Sequence, residues 1–291
     1  MNRPETVRSL ALSVLTVAIA AAVLAPSPAS ALRNELRCRK AIAGATLRYA
    51  DAVLEARVNC QNRIVDNELS ATFDCITGVD DALDIQLERR LEKAARRLNN
   101  RLQRACSGVE LSNLGFPGVC PDLTGGPFSK SDLGGCVEDA LDVLSVTLLG
   151  TYYPVLPHFY RSDEEECLRR VARGGIDMFR AALRARQKCL FEQENQQLLT
   201  GVECRAAVPP FGLGTGNPST DRRLRGAYEQ VKHIAAACAI PDLDNLGFAE
   251  VCPDTDGAPF NSVDVRNCTF NLNRTEIPAY LELAFPTAAA R

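Results

Sequence analysis

The sequence predicts an all-α fold made of two tandem disulfide-stapled helical-hairpin modules, each with a Cys-rich loop and a short third helix. Three observations predict it. First, twelve cysteines fall into two sets of six, with successive gaps of 22, 15, 31, 14, 16 and then 22, 15, 34, 14, 16 residues. Second, the 22-residue gaps and the segments before the fourth cysteines carry apolar residues at helical spacing. Third, the segment after the fourth cysteine recurs: 15 of 31 positions are identical between residues 106–136 and 238–268. One six-cysteine unit has been duplicated.

Residues 1–31 have the parts of an export signal. Arg3 and Arg8 give a basic start, Leu10 to Leu24 is uncharged and apolar, and Ala29-Ser30-Ala31 is a small-residue cleavage site. The apolar stretch is shorter than the roughly 20 residues that span a bilayer, which speaks against a retained anchor. The sequence therefore predicts a secreted or periplasmic chain starting at Leu32, with no transmembrane segment after cleavage. An exported chain with an even cysteine count calls for disulfides. The absence of C-x-x-C removes thioredoxin-like chemistry and c-type haem attachment, and His158 and His233 stand apart from any zinc-ligand spacing.

Repeat 1 (residues 32–150) opens with a helix on one face of which lie Cys38, Ile42, Ala45, Tyr49, Val53, Ala56 and Cys60. If this helix is continuous, those two cysteines lie about 33 Å apart along it, far beyond the Cα separation of a disulfide. Each must reach a different element. The second helix carries Leu87, Leu91, Ala94, Leu98, Leu102 and Ala105, leading into Cys106. Two antiparallel helices then predict Cys60–Cys75 at the turn and Cys38–Cys106 at the open end, leaving Cys120–Cys136. A third helix is expected over residues 137–149. Residues 151–161, with Pro154 and Pro157, read as a linker.

Repeat 2 (residues 162–291) follows the same plan. Ser162 to Glu165 reads as a capping box, followed by Cys167, Val171, Met178, Ala182, Ala185 and Cys189 on one face. The Pro- and Gly-rich loop 208–219 takes up the longer third gap, and the second helix runs from Asp221 to Cys238. The expected pairs are Cys167–Cys238, Cys189–Cys204 and Cys252–Cys268. A short helix is expected over 277–285. At about 130 residues per repeat, each is expected to hold a core of its own and to fold alone.

The duplicated segment supplies the first candidate site residues. Asp122 and Asp132, with Asp254, Asp256 and Asp264, are oxygen donors, but their spacing fits no EF-hand loop. Ser129 to Asp132 and Asn261 to Asp264 read instead as helix caps, and Asp122 and Asp254 suit turns after Cys-Pro. Asn113, Gly115 and Phe116, and Asn245, Gly247 and Phe248, form a second candidate surface. The structural alternative is a left-handed glycine turn, with Phe116, Phe128, Phe248 and Phe260 plugging the space over the hairpin. A third candidate is the basic run Arg89, Arg90, Lys93, Arg96, Arg97, Arg101 and Arg104, weaker in repeat 2 as Arg222, Arg223, Arg225 and Lys232. Such a run contacts an anionic polymer, lipid head groups or nucleic acid, or is simply a solvated face. Asn267-Cys268-Thr269 and Asn273-Arg274-Thr275 match the glycan acceptor pattern.

The whole chain has 33 basic and 36 acidic side chains, and the export signal takes away only Arg3, Arg8 and Glu5. The remaining acidic excess argues against nucleic acid as the partner. No nucleophile elbow, zinc-protease helix, phosphate loop or dinucleotide loop is present. The expected function is a non-enzymatic binding or structural module without cofactor or metal, whose partner is a protein or cell-envelope component. The rivals are an exported hydrolase with convergent carboxylates and a calcium-dependent interaction module.

The frame N-L-G-F-x-x-V-C-P-D resembles a loose group of exported, cysteine-rich repeat proteins of environmental bacteria. The resemblance covers residues 36–149 and 165–285 and brings with it no activity, ligand or catalytic residue. Saposin-like domains begin with closely spaced cysteines, and twin C-x9-C hairpins use shorter gaps, so neither matches.

Overall fold

The computed structural model describes residues 28–70, 73–75, 85–121, 127–154, 160–195, 198, 201–206, 214–254 and 257–286, with side-chain burial from residue 32 onward. Among the described residues the fold is all α-helical, with short 3-10 turns and no strand. No helix among them is long and apolar enough to cross a membrane. Residues 1–27 of the predicted export signal lie outside the described residues.

Helix α1 spans Pro28–Val65, so its first turn consists of residues 28–31 of the predicted export signal. It ends where Asn67 takes a left-handed φ of 59°. Asn tolerates that conformation, which closes helix ends. Helix α2 (Ile85–Ala105) packs back along α1 and buries Leu87, Ala94, Leu98 and Leu102. Burying each leucine contributes about 1.5–3 kcal/mol. Disulfides close both ends of the hairpin: Cys60–Cys75 with Cα atoms 5.6 Å apart, and Cys38–Cys106 at 4.6 Å. A 3-10 turn (Leu111–Leu114) follows. Cys120–Cys136 then ties the loop to the first turns of helix α3 (Lys130–Tyr152).

Repeat 2 builds helix α4 (Ser162–Glu194), helix α5 (Pro218–Tyr228), a 3-10 turn (Glu229–Val231), helix α6 (Lys232–Ala237), the single turn α7 (Phe248–Val251) and helix α8 (Ser262–Glu282). Its disulfides are Cys167–Cys238, Cys189–Cys204 and Cys252–Cys268, and no cysteine is free.

Several expectations are corrected. The third helices are not short: α3 has 23 residues and α8 has 21. Both start at capping boxes, Ser129 with Asp132 and Asn261 with Asp264, well before the apolar stretches that mark them in sequence. Helix α8 runs through Pro278 because Ile277, Tyr280 and Leu281 on either side are buried. That burial offsets the hydrogen bond a proline removes. The second helix of repeat 2 breaks into α5, a 3-10 turn and α6. At the break the carbonyl of Gln230 presses on Gly174 of α4, where a Cβ would sit 3.0 Å from that oxygen. The cap of α4 lies one residue earlier than Ser162: Glu164 accepts the backbone N–H of Arg161 at 2.8 Å.

The expectation of two separate cores is also corrected. One apolar core runs through both repeats, from Ile42 and Leu102 to Leu183 and Tyr280. The segment read as a linker begins inside it. Tyr152 ends α3 fully buried against Gly175 of α4, where any Cβ would stand 2.4 Å from the ring. The Nδ2 of Asn273 donates to the Tyr152 hydroxyl at 2.9 Å. Tyr153 is buried too, and its hydroxyl donates to Asn62 at 2.8 Å. These aromatic side chains fill the joint between repeats, so the helix runs on to Tyr152 and stops just before Pro154. Residues 155–159, including Pro157 and His158, lie outside the described residues.

Helices α1 and α4 complete the joint. Gln187 donates to the Ala43 carbonyl at 3.1 Å, and Tyr280 from α8 donates to the Thr46 carbonyl at 3.2 Å. Asp51 accepts from Arg180 at 2.7 Å and from Arg184 at 3.1 Å.

Candidate anion-binding cleft

The residues of the duplicated loop hold structure together. Gly115 and Gly247 take left-handed φ values of 90° and 71°, which let the chain turn sharply after the hairpin. Phe116 and Phe248 are buried, while Phe128 and Phe260 are half-buried against the core. Phe116 and Phe128 stack with ring centres 6.1 Å apart. Asn113 reaches Glu35 at 3.0 Å, and the exposed Asn245 sits in a turn over Asp242.

The acids of the loop are committed to backbone. Asp132 accepts the N–H of Ser129 at 2.8 Å, and Asp264 that of Asn261 at 2.9 Å. The bonds to Ser129 hold the Asp132 carboxyl below its ordinary range. Asp254 accepts the N–H of Gly257 at 3.0 Å, closing a turn. Asp122 and Asp256 lie outside the described residues. Among the described residues no group of three or more His, Cys, Asp or Glu side chains is placed to hold a metal ion. Of the two glycan acceptors, Asn273 is fully buried, and Asn267 is half-buried beside the Cys252–Cys268 disulfide.

The basic run behaves differently. Arg97, Arg101 and Arg104 of α2 line an open cleft of about 740 Å3, facing Arg37, Lys40 and Arg48 of α1. The spacings explain the two rows. Arg97, Arg101 and Arg104 step by four and three, and Arg37, Lys40, Gly44 and Arg48 step by three, four and four, so each set shares one helix face. The Cys38–Cys106 disulfide brings Arg37 and Arg104 to the same end. Arg48, Arg97 and Arg101 also line an adjoining hollow that holds Tyr49 and the acids Asp51 and Glu55. The far wall comes from repeat 2, through Gln187 and Phe191 of α4. No acidic side chain lines the cleft, and none of its six cations forms an ion pair among the described residues. The rest of the sequence-marked run faces elsewhere: Arg89, Arg90, Lys93 and Arg96 do not line it, and Arg96 pairs with Glu92 at 3.8 Å.

The duplication gives an internal control. Counted from the paired cysteines, the positions of Arg37, Lys40 and Arg48 are occupied in repeat 2 by Glu166, Arg169 and Asp177. Those of Arg97, Arg101 and Arg104 are occupied by Glu229, His233 and Ala236. The charged members of this second set are neutralised locally. Glu166 pairs with Arg170 at 2.6 Å, Asp177 with Arg180 at 3.0 Å, Arg169 with Asp66, and Glu229 with Lys232. The same hairpin therefore folds without a cationic trough, and the six cations of repeat 1, which form no ion pair among the described residues, are not a requirement of the fold.

Carboxylates gather less productively. Asp139, Glu276 and Glu282 rim a shallow hollow of about 440 Å3 between α3 and α8 whose wall is Val119, Val143 and Leu144. Glu282 is taken by Arg205 at 3.1 Å. Burial pushes the Glu138 carboxyl up, against the Asn99 amide that donates to it at 2.9 Å.

Comparison with protein-family models, with curated proteins and with solved structures finds no match to this chain.

Proposed function

We propose that this protein is an exported, non-enzymatic binding module: a disulfide-stapled helical frame that presents the α1–α2 cleft to an anionic partner of the cell envelope or its surroundings. The observation that carries the reading is the set of six cations lining one concave surface with no acid among its described lining residues, on a hairpin whose duplicate lacks that set. Like charges held together repel one another, and an anion relieves that repulsion. Six disulfides suit an oxidising compartment. The hydrolase reading draws less support, because the α3–α8 hollow is walled by apolar side chains and one of its three acids is ion-paired.

The test is retention of the oxidised protein on a sulfonate resin at neutral pH. An acidic chain that binds a cation exchanger does so through a local patch. The triple variant R97Q/R101Q/R104Q should elute at clearly lower salt than the triple variant R89Q/R90Q/K93Q, although both lose the same charge. Equal elution of the two would sink the proposal.

A further inference from the structure

The shape of the cleft says more about the ligand than its charge does. From Arg37 to Arg48 the α1 row of cations extends over about 16 Å of helix axis, and from Arg97 to Arg104 the α2 row extends over about 10 Å. A single carboxylate or phosphate meets only one end of such a trough. Two facing rows match a chain that carries anionic groups at intervals along its length. Five of the six cations are arginines, whose planar forks take carboxylates two bonds at a time.

Between the charges lie groups of another kind. The Asn100 and Gln187 amides line the trough, as do the half-buried Phe191 ring and the methyl groups of Ala41 and Ala105. An amide oxygen accepts from hydroxyls, and an aromatic ring takes the apolar face of a sugar. A polyphosphate chain has neither group to offer. Gln187 is held in place by its bond to the Ala43 carbonyl, so it presents a fixed wall.

We infer that the ligand of this cleft is a linear acidic polysaccharide, laid along the α1–α2 seam with its carboxylates on the two cation rows and its sugar faces on the wall supplied by α4. This inference rests on the anion-binding reading above. The site also depends on both repeats, since α4 belongs to the second.

The experiment is calorimetric titration of the oxidised full-length protein at low and at near-physiological salt. The probes are galacturonate monomer, galacturonate oligomers of graded length, inorganic polyphosphate and neutral dextran. Affinity should climb with oligomer length until the trough is filled and should weaken with salt. R97Q/R101Q/R104Q should lose about tenfold, the factor expected for three exposed ion pairs. R89Q/R90Q/K93Q should change much less. Phe191→Ala should weaken the oligomer and leave polyphosphate unaffected. Monomer binding as tightly as the oligomers would overturn the polymeric ligand while leaving an anion site. Polyphosphate preferred over oligogalacturonate in the same variant-sensitive way would overturn the polysaccharide. Binding of no anionic probe, or equal losses in both triple variants, would remove the cleft reading altogether.

Discussion

Asp132 shows how a single carboxylate of the duplicated loop is used. Its oxygen accepts the Ser129 backbone N–H while the Ser129 hydroxyl accepts the Asp132 N–H, and this exchange holds the carboxyl below its ordinary value of 3.8. A depressed acid contributes stability that is complete above its unfolded pKa and is lost as pH falls through the folded one. NMR titration should therefore find the Asp132 midpoint below 3.8 in the folded protein, and Ser129→Ala should return it toward that value. A midpoint unmoved by the substitution would mean the cap is not the cause. Gly175 gives a second expectation. Any Cβ there meets the Tyr152 ring at 2.4 Å. Gly175→Ala should destabilise by about 1–3 kcal/mol through overpacking. Gly226, inside α5 with nothing within 4 Å, is the contrast. Gly226→Ala should stabilise by up to about 1 kcal/mol. Paired denaturant titrations check both. The caps at Ser129 and Asn261 are legible in sequence because a side-chain oxygen with an acid three residues on has one local meaning. The cleft is only half legible. Arg97, Arg101 and Arg104 stand in a visible basic run, whereas Arg37, Lys40 and Arg48 are scattered among apolar neighbours. Their helical spacing, folded across the Cys38–Cys106 closure, is the signal that could have joined the two sets.

Among the elements, the two hairpins show what a repeat constrains and what it leaves free. Cysteine spacing alone makes antiparallel helices with closed ends legible, because a continuous helix from Cys38 to Cys60 cannot join its own ends. The length of the third helices is not legible, since most of α8 carries no strong apolar period and its proline suggests a boundary. Burial on both sides of Pro278 decides that case. The break between α5 and α6 is hidden as well: it answers to the approach of α4 at Gly174, a contact between segments distant in the chain. Two consequences follow for stability. The Asn261 side chain accepts from the Val263 backbone N–H at 2.8 Å. Its removal in Asn261→Ala should cost about 1 kcal/mol. Replacing Cys60 and Cys75 by serine reopens a short loop and should cost about 3 kcal/mol on a chain-entropy basis. That bridge lies in a small cluster apart from the main core, with Ala56, Ile64 and Leu87. The cleft should therefore keep its anion affinity in this double variant. Thermal melts read together with the sulfonate-resin assay separate the two effects.

At the scale of the whole molecule, the duplication reads as two domains in sequence and folds around one core. Sequence similarity reports ancestry of the repeats, but which faces pair is decided by side chains such as Tyr152 and Gln187, which lie outside the retained frame. Calorimetry should show one cooperative transition for the intact chain, and residues 32–150 produced alone should fail to melt as a unit. Two separated transitions would restore the view of independent repeats. The buried Asn273 carries a consequence for how the protein is made. Its amide donates to Tyr152 and to the Thr269 carbonyl at 2.9 Å each, at the centre of the joint. It is also the acceptor of an Asn-Arg-Thr glycosylation sequence near the end of the chain. In a secretory pathway that attaches glycans as the chain emerges, transfer to this asparagine would compete with closure of the core. A sugar there could not be accommodated later, because the folded protein has no room for it. Each molecule would then be sorted by a race between an enzyme and the docking of α8, and only the unmodified ones would close the joint between the repeats.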